Sequence, residues 1–254
     1  GDMTINAKSI QNLVVNEPEN VTYDGDAHQY EPVLKDGDKT LVKGVDYTVE
    51  YNKTDFTNVT GAINVTIKGK GNYAGEVLKS YQITPKDVTI SVTPASKKYG
   101  AADPEFTGTV TGLVNASDLG TISYKRISAT QTVAVYKNDL TAEYRANTNY
   151  NVEVVKADFT IEPASIVPSV DNKMSVDSPS NHEYDGQAHK YVPEVKNDGT
   201  PLVEGTDYTV TYTDAEGNTV TDFTNVTGKI NVTITGTGNY SGEIRKQYEI
   251  TAKP

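Results

Sequence analysis

Short stretches in which apolar and polar residues alternate recur along the whole chain. The clearest are Tyr47–Tyr51 and Ile63–Lys68, in which every second residue is apolar, and a third candidate is Val77–Ile83. A period of two places successive side chains on opposite faces of a β-strand. We therefore expect antiparallel sheets that bury one face and expose the other, with glycines at the turns between strands.

One long stretch of the sequence occurs twice. Tyr23–Pro32 returns as Tyr184–Pro193, and Asp55–Gly61 is identical to Asp222–Gly228. An imperfect internal duplication predicts an array of separately folded modules. The second copy contains a longer connection, Thr213–Thr221, and an insertion that is tolerated at this place predicts a surface hairpin tip.

The residues between the two copies are predicted to form a diverged third module. Asn149-Tyr150 near its end aligns with Asn72-Tyr73 of the first copy, and Tyr99-Gly100 occupies the place of the Tyr-Asp-Gly signature. Asn115–Leu119 predicts one helical turn, and no other stretch has helical periodicity.

The predicted domain boundaries follow from these alignments. They are 1–8 for the end of a preceding module or a linker, and 9–85, 86–163 and 164–254 for three β modules. Pro85 and Pro163 lie in the short linkers, where proline restricts the backbone. The modules are therefore expected to form a semi-rigid, elongated array of about 100 Å.

Composition narrows the chemistry and the location. The 254 residues include no cysteine, and the net charge is −11. The first fact excludes disulfides and thiol chemistry, and the second disfavours nucleic acid as a partner. A secreted protein without cysteine fits a bacterial surface. The chain begins Gly1-Asp2-Met3 and has no apolar run of spanning length, so we expect an expressed fragment without membrane insertion.

The signatures resemble those of two repeat domains found in bacterial surface proteins. The outer modules, with Tyr23-Asp24-Gly25 and Tyr184-Asp185-Gly186, resemble YDG domains. The middle module, with Tyr99-Gly100 and Asp103-Pro104, resembles the MBG domain of the Tyr-Gly-x type, although Thr132–Tyr136 stands where that family has a Val-Gly-Thr-Tyr strand start. The resemblance implies stacked modules in secreted or surface-anchored, adhesin-like proteins, and it transfers no catalytic residue.

The fold prediction is three tandem immunoglobulin-like β-sandwich modules of about seven short strands each. A β-grasp-like unit is the alternative, particularly for the middle module. That alternative requires a helix packed against the sheet, and the sequence offers little helical pattern.

Residues that could bind ligands are concentrated in the signature loops. His182 and His189 could form a metal-binding pair, but no carboxylate cluster recurs with His28 in the first module. Asp24 and Asp185 could bind calcium or act as acids, but an Asp-Gly pair more simply forms a turn in which the carboxylate accepts backbone hydrogen bonds. We predict turn or strand roles, and no metal or cofactor.

Two surfaces are the first places to expect a binding site, if the chain has one. They are the signature loops and the long hairpin tip, represented by Tyr23, Asp24, His28, Tyr184, Asp185, His189, Asp214 and Glu216. The tip lacks the alternating ligand spacing of a calcium loop. The many tyrosines could form platforms for sugars, but their strand positions favour core or edge roles.

The predicted function is a non-catalytic extracellular repeat region of a bacterial surface or secreted protein. It would act as an adhesin stalk or in adhesion to host glycan, mucin or matrix protein, as a monomer. The sequence has no Gly-x-Ser-x-Gly, no phosphate loop and no His-Glu-x-x-His. The alternatives are a carbohydrate-binding module of a secreted enzyme, which requires an exposed aromatic strip, and a pure structural spacer.

Overall fold

The computed structural model describes every residue from Gly1 to Pro254, and all of its regular structure is β-strand. It divides into two compact units. Unit 1 contains residues 1–92, 107–125 and 141–156, and unit 2 contains residues 93–106, 126–140 and 157–254. No helix is long and apolar enough to cross a membrane. We call residues 9–85, 86–163 and 164–254 the first, middle and third segment, and these boundaries stay predictions.

Twenty-six strands are present. Those of the first segment, with the strand that leads into it, are β1 (Lys8–Ser9), β2 (Val14–Val15), β3 (Val21–Thr22), β4 (Leu34–Asp36), β5 (Lys39–Thr40), β6 (Tyr47–Tyr51), β7 (Ile63–Gly69), β8 (Tyr73–Ala74), β9 (Glu76–Tyr81) and β10 (Ile83–Thr84). Those of the middle segment are β11 (Lys86–Val92), β12 (Ala95–Lys98), β13 (Gly108–Thr111), β14 (Ser123–Arg126), β15 (Ala134–Glu143), β16 (Tyr150–Val155) and β17 (Ala157–Glu162). Those of the third segment are β18 (Ala164–Ser165), β19 (Met174–Val176), β20 (His182–Glu183), β21 (Val195–Asn197), β22 (Thr200–Pro201), β23 (Tyr208–Thr213), β24 (Lys229–Gly236), β25 (Tyr240–Ser241) and β26 (Glu243–Thr251).

The third segment, which lies in unit 2, is a sandwich of two sheets. One sheet has the order β20-β26-β24-β23 and the other β19-β21-β22. Both contribute to one core, because Met174 and Val195 of the second sheet cluster with Val232, Ile234 and Tyr248 of the first. Burial of the apolar face of each sheet is the main force that holds the two together.

The first segment, which lies in unit 1, repeats this topology. The order β6-β7-β9 matches β23-β24-β26, and β2-β4-β5 matches β19-β21-β22. The short β10 follows β9 after Gln82 and pairs in parallel with β3, as β26 does with β20. Ile63, Val65 and Ile67 of β7 are fully buried, as their alternation predicts. The prediction of all-β, immunoglobulin-like sandwich modules is confirmed.

The middle segment has residues in both units. In unit 1, β11 lies between β13, to which it is antiparallel, and β16, to which it is parallel. In unit 2, β17 pairs in parallel with β12 and antiparallel with β15. The pairing of β15 with β17 is interrupted by a bulge between Tyr136 and Leu140, and Asn138 inside it has a φ of 53°.

The helical turn predicted for Asn115–Leu119 is wrong, and the β-grasp alternative lacks its helix. The peptide N–H of Asp118 donates to the carbonyl of Asn115 at 3.1 Å, and that of Gly120 donates to Ser117 at 3.0 Å. These bonds form consecutive turns of the β-turn type. Asn115 and Ser117, which favour turns over helix interiors, account for the difference.

Charged side chains are buried beside the bulge in unit 2. The side chains of Arg126 and Asp139 are only 5% and 7% exposed, and Nε of Arg126 lies 3.2 Å from Oδ2 of Asp139. The Arg126 guanidinium also stacks over the Phe159 ring at 4.3 Å. Lys97 Nζ contacts Asp103 Oδ1 at 2.6 Å. Each buried charge therefore has an opposite partner, which buried charges require.

We expect Gly236→Ala to destabilise the third segment. A Cβ at Gly236 would lie 2.7 Å from the backbone nitrogen of Ser241, so β24 and the β25 turn would have to move apart. Overpacking of this kind costs about 1–3 kcal/mol. Chemical denaturation measures the loss. Gly228→Ala is the control because a Cβ there meets nothing within 4 Å, and equal stability of the two variants would contradict the prediction.

Asp103 is expected to make folding sensitive to acid. Burial raises its pKa, but the hydrogen bond and charge of Lys97 and the charge of Arg126 outweigh burial and lower it below the ordinary 3.8. A lowered pKa in the folded state stabilises the fold above the ordinary value, and this contribution disappears as the pH falls through the folded value. Denaturation at pH 7 and at low pH should therefore show wild type losing more stability than Asp103→Asn. Parallel pH profiles for the two proteins would contradict this.

Candidate functional site

The two Tyr-Asp-Gly loops have the same internal geometry. In the first loop Oδ1 of Asp24 contacts Nε2 of His28 at 2.8 Å and accepts the peptide N–H of Asp26 at 2.9 Å. In the second loop Asp185 contacts His189 at 2.8 Å in the same way. Each aspartate therefore holds a tight turn together, which is the simpler of the two roles considered for it.

Hydrogen bonds lower the pKa of both loop aspartates. For Asp24 the largest cause is the hydrogen bond with His28, and the second is the hydrogen bond from the N–H of Asp26. For Asp185 the largest cause is the hydrogen bond from the N–H of Gln187, and the second is the hydrogen bond with His189. A general acid that works near neutral pH needs a raised pKa, so these shifts have the opposite direction. The carboxylates are ionised acceptors within their own turns.

The histidine pair is a feature of the third segment alone. The rings of His182 and His189 are stacked with centroids 4.2 Å apart, and they line a groove of about 350 Å³. In the first segment the place of His182 is taken by Val21, because Val21 pairs with Ile83 as His182 pairs with Ile250. Nowhere in Gly1–Pro254 are three or more His, Asp or Glu side chains arranged to hold a metal ion.

The predicted hairpin tip is present, and its carboxylate closes it. Asp214 follows β23 and accepts the N–H groups of Glu216 at 3.0 Å and Asn218 at 2.8 Å. The pKa of Asp214 is lowered, mainly by the side-chain amide of Asn218. Glu216 is exposed at the tip. The two acidic side chains thus have different roles: Asp214 closes the tip, whereas the Glu216 carboxylate makes no hydrogen bond or ion pair.

Most tyrosine hydroxyls in the outer segments form hydrogen bonds with other groups of the same segment. The hydroxyl of Tyr47 donates to the carbonyl of Pro32 at 2.8 Å, and that of Tyr51 donates to Tyr30 at 2.6 Å. The third segment repeats the second contact, since Tyr212 donates to Tyr191 at 2.7 Å. These tyrosines stabilise the sandwich by tying strands to the signature loop, and they do not form an open platform.

The signature tyrosine of the first segment contacts the middle segment. Tyr23 meets Tyr150 edge to face, with ring centroids 5.4 Å apart and an angle of 86°. The backbone of Gly25 lies close to Val114, so that a Cβ at Gly25 would be 3.0 Å from its Cγ1. We call this set of contacts the first joint. The glycine is needed here for its positive φ of 88° as well as for the close approach.

An asparagine completes the first joint. Oδ1 of Asn149 accepts the peptide N–H of Val59 at 2.8 Å, and its Nδ2 donates to Oδ1 of Asn58 at 2.8 Å. Its own backbone carbonyl accepts the N–H of Lys86 at 2.9 Å. Asn149 is only 8% exposed, so every one of these bonds lies in a site where an unpaired polar group would be costly.

A second joint in unit 2 uses the same kinds of residue. The middle segment's signature tyrosine, Tyr99, meets Tyr240 edge to face at 5.5 Å. The side-chain Oδ1 of Asn239 accepts the backbone N–H of Val133 at 3.0 Å. The backbone carbonyl of Asn239 accepts the backbone N–H of Ala164, also at 3.0 Å. Two successive joints are therefore built from a signature tyrosine on one side and an Asn-Tyr pair on the other. A groove of about 480 Å³ lies beside the second joint, lined by Tyr99, Lys98, Lys173 and Met174 among others.

The joint asparagines were missed as functional residues by the sequence analysis, which used the Asn-Tyr pairs only for alignment. The signal was available. Asn72-Tyr73, Asn149-Tyr150 and Asn239-Tyr240 survive even in the diverged middle segment. The rest of the middle segment differs in sequence from the outer two. A motif that all three segments nevertheless share indicates a role in the connection between segments. The roles predicted for the signature loops as binding sites stay predictions.

We expect Asn149→Ala to loosen the first joint. The change leaves the N–H of Val59 without its acceptor, at a cost of about 1–3 kcal/mol if the group stays buried. Amide hydrogen exchange should become faster at Val59, while the core of β7 keeps its protection. Asn72→Ala is the matched control, because Asn72 occupies the same place in the first segment but is exposed and bonds through its backbone carbonyl. Equal exchange at Val59 in the two variants would refute the role of Asn149.

Solved structures similar to this chain are cadherin ectodomains. Protocadherin gamma B7 extracellular cadherin domains 1–4 are 8% identical, with a TM-score of 0.29 over 82% of this chain and 67% of that chain. Protocadherin gamma B2 domains 3–6 are 11% identical, with a TM-score of 0.25 over 96% and 76%. Drosophila N-cadherin domains 1–4 are 11% identical, with a TM-score of 0.21 over 97% and 74%. At these scores the likeness supports no further conclusion.

No curated protein matches the sequence. A protein-family model does match the middle of the chain, and it describes a repeat domain of a non-catalytic, extracellular type. Residues 88–160 match the MBG domain (YGX type), which confirms the resemblance of the middle segment to that family.

Proposed function

We propose that this chain is a structural stalk segment of an adhesin-like bacterial protein on the cell surface or secreted. The observation that carries the proposal is the use of the Tyr-Asp-Gly loop in the first joint. Tyr23 is 7% exposed and packs on Tyr150, so the loop that the sequence favours as a binding site serves to connect segments. The same arrangement at Tyr99 and Tyr240 supports a connecting role for the signature.

Adhesion of this segment itself to host glycan, mucin or matrix protein is the competing proposal. A carbohydrate-binding face needs exposed aromatic rings, and Tyr184, at 39%, is the one aromatic residue that is exposed. The hydroxyls of Tyr47, Tyr51 and Tyr212 are engaged with the backbone. These facts favour a stalk or spacer over a carbohydrate-binding module.

The surface charge also favours a spacer. The net charge is −11 because the 34 acidic residues outnumber the 23 basic ones, and the basic residues form no dense run in the sequence, which is typical of a soluble surface. Sialylated mucins are themselves anionic, and like charges repel. Attachment to such ligands would then have to come from other parts of the full protein.

The test is binding of the purified chain to mucins, a glycan array and common matrix proteins, over a range of calcium concentrations and pH. We expect no saturable binding. The variant Tyr184→Ala removes the single exposed aromatic ring, and Glu216→Gln removes the charge of the exposed Glu216 carboxylate at the hairpin tip. Saturable binding by the wild-type chain that either variant abolishes would contradict the stalk proposal and assign adhesion to that loop.

A further inference from the structure

We propose that the surface of the third segment around Tyr184 is a docking site for the Asn-Tyr edge of another segment of the middle type. We call this surface the exit face and define it as Tyr184, Gly186, Asn225 and Val226. Its occupant would bind as the middle segment binds the first segment. The inference rests on the proposed stalk function and extends it. It names the kind of segment that binds next to the third segment.

The exit face has the residues that form the first joint. Tyr184, Gly186, Asn225 and Val226 correspond to Tyr23, Gly25, Asn58 and Val59. The last two pairs lie within the identical stretches Asp55–Gly61 and Asp222–Gly228. The backbone enters both loops in the same way, since the N–H of the signature tyrosine donates to a threonine carbonyl at 2.8 Å in the first segment and 2.9 Å in the third.

The hydrogen bonds that prepare the first joint are already made at the exit face. Nδ2 of Asn58 donates to Oδ2 of Asp55 at 2.9 Å, which leaves Oδ1 of Asn58 to accept Nδ2 of Asn149. Nδ2 of Asn225 donates to Oδ2 of Asp222 at 2.7 Å. Oδ1 of Asn225 is therefore oriented as an acceptor with no partner on this chain.

The contacts that fill the first joint are open at the exit face. Tyr23 is 7% exposed, whereas Tyr184 is 39% exposed. A Cβ at Gly25 would lie 3.0 Å from Val114, whereas a Cβ at Gly186 would meet nothing within 4 Å. Val226 is 53% exposed, and its N–H makes no hydrogen bond, whereas the equivalent N–H of Val59 binds Asn149.

The unfilled groups define the chemistry of the partner. A side-chain amide must supply an acceptor for the Val226 N–H and a donor for Asn225, and a tyrosine ring must meet Tyr184. The middle segment presents this set as Asn149 and Tyr150. The last residue of β26 and the two that follow it, Thr251-Ala252-Lys253, also correspond to Thr84-Pro85-Lys86, which links the first segment to the middle one.

The experiment is an extended chain in which residues 87–163 are joined after Lys253, so that Lys253 takes the place of Lys86. Amide hydrogen exchange is measured at Val226 in the parent and extended chains. We expect Val226 to exchange at least about tenfold more slowly in the extended chain, as expected for one new hydrogen bond. The matched control is Asn149→Ala in the added copy alone, which should restore the exchange rate that Val226 has in the parent chain. The amide of Val59, which binds Asn149 in both chains, is the internal reference for a protected amide.

Each other outcome overturns the inference. Fast exchange at Val226 alongside protected β11 and β16 amides in the added copy would show that a folded segment does not dock. A second extension, by residues 87–251, supplies the added middle segment with the third segment that follows it in the parent chain, and it is read in the same way. Protection of Val226 that rises with concentration of the parent chain would assign the face to the Asn72 edge of a second copy. Hydrogen exchange at Val226 is measured without any ligand. Binding of the chain to mucin, glycan or matrix protein would contradict the stalk proposal without deciding whether the exit face docks a segment.

Discussion

The carbonyl of an asparagine accepts a backbone N–H at, or directly before, the start of each segment, and the connection between segments depends on this bond. The donors are Lys8, Lys86 and Ala164, and the distances are 2.9, 2.9 and 3.0 Å. The N–H group at the start of a strand needs such a partner because unpaired backbone groups are costly. The bond also fixes the asparagine, so that its side chain is held toward the preceding segment. In Asn149 the main chain closes one segment while the side chain binds the one before it.

This constraint gives the Tyr-Asp-Gly signature a physical explanation that requires no ligand. The tyrosine supplies an apolar ring at the joint, the aspartate closes the turn, and the glycine permits both a positive φ and the close approach of Val114. The histidine, which suggests metal chemistry in the sequence, contacts the turn aspartate in both loops. Hydrogen bonding within the turn and packing at the joint therefore account for Tyr23, Asp24, Gly25 and His28 without a ligand.

The sequence predicts local features well and long-range ones poorly. Period-two alternation identifies β6 and β7, and Asp-Gly identifies the signature turns, because both depend on neighbouring residues. The bond between Asn149 and Val59 joins residues 90 positions apart, and no local pattern predicts it. Arg126 and Asp139 are buried beside the bulge at Asn138, where a non-glycine residue adopts a positive φ. Asparagine tolerates that conformation better than most residues, but it does not reveal in advance which strand will bulge.

The identical stretches Asp55–Gly61 and Asp222–Gly228 provide a comparison within one molecule. The first has a partner and the second does not, yet in both the side-chain amide of the asparagine donates to the carboxylate of the aspartate. The loop is thus formed before it is occupied, so that docking would order few additional side chains and would lose little conformational entropy. A covalent linker of a few residues supplies a high local concentration of the next segment. The contacts of the first joint, which include one aromatic pair and two amide hydrogen bonds, therefore need not overcome the entropy of bringing two free molecules together.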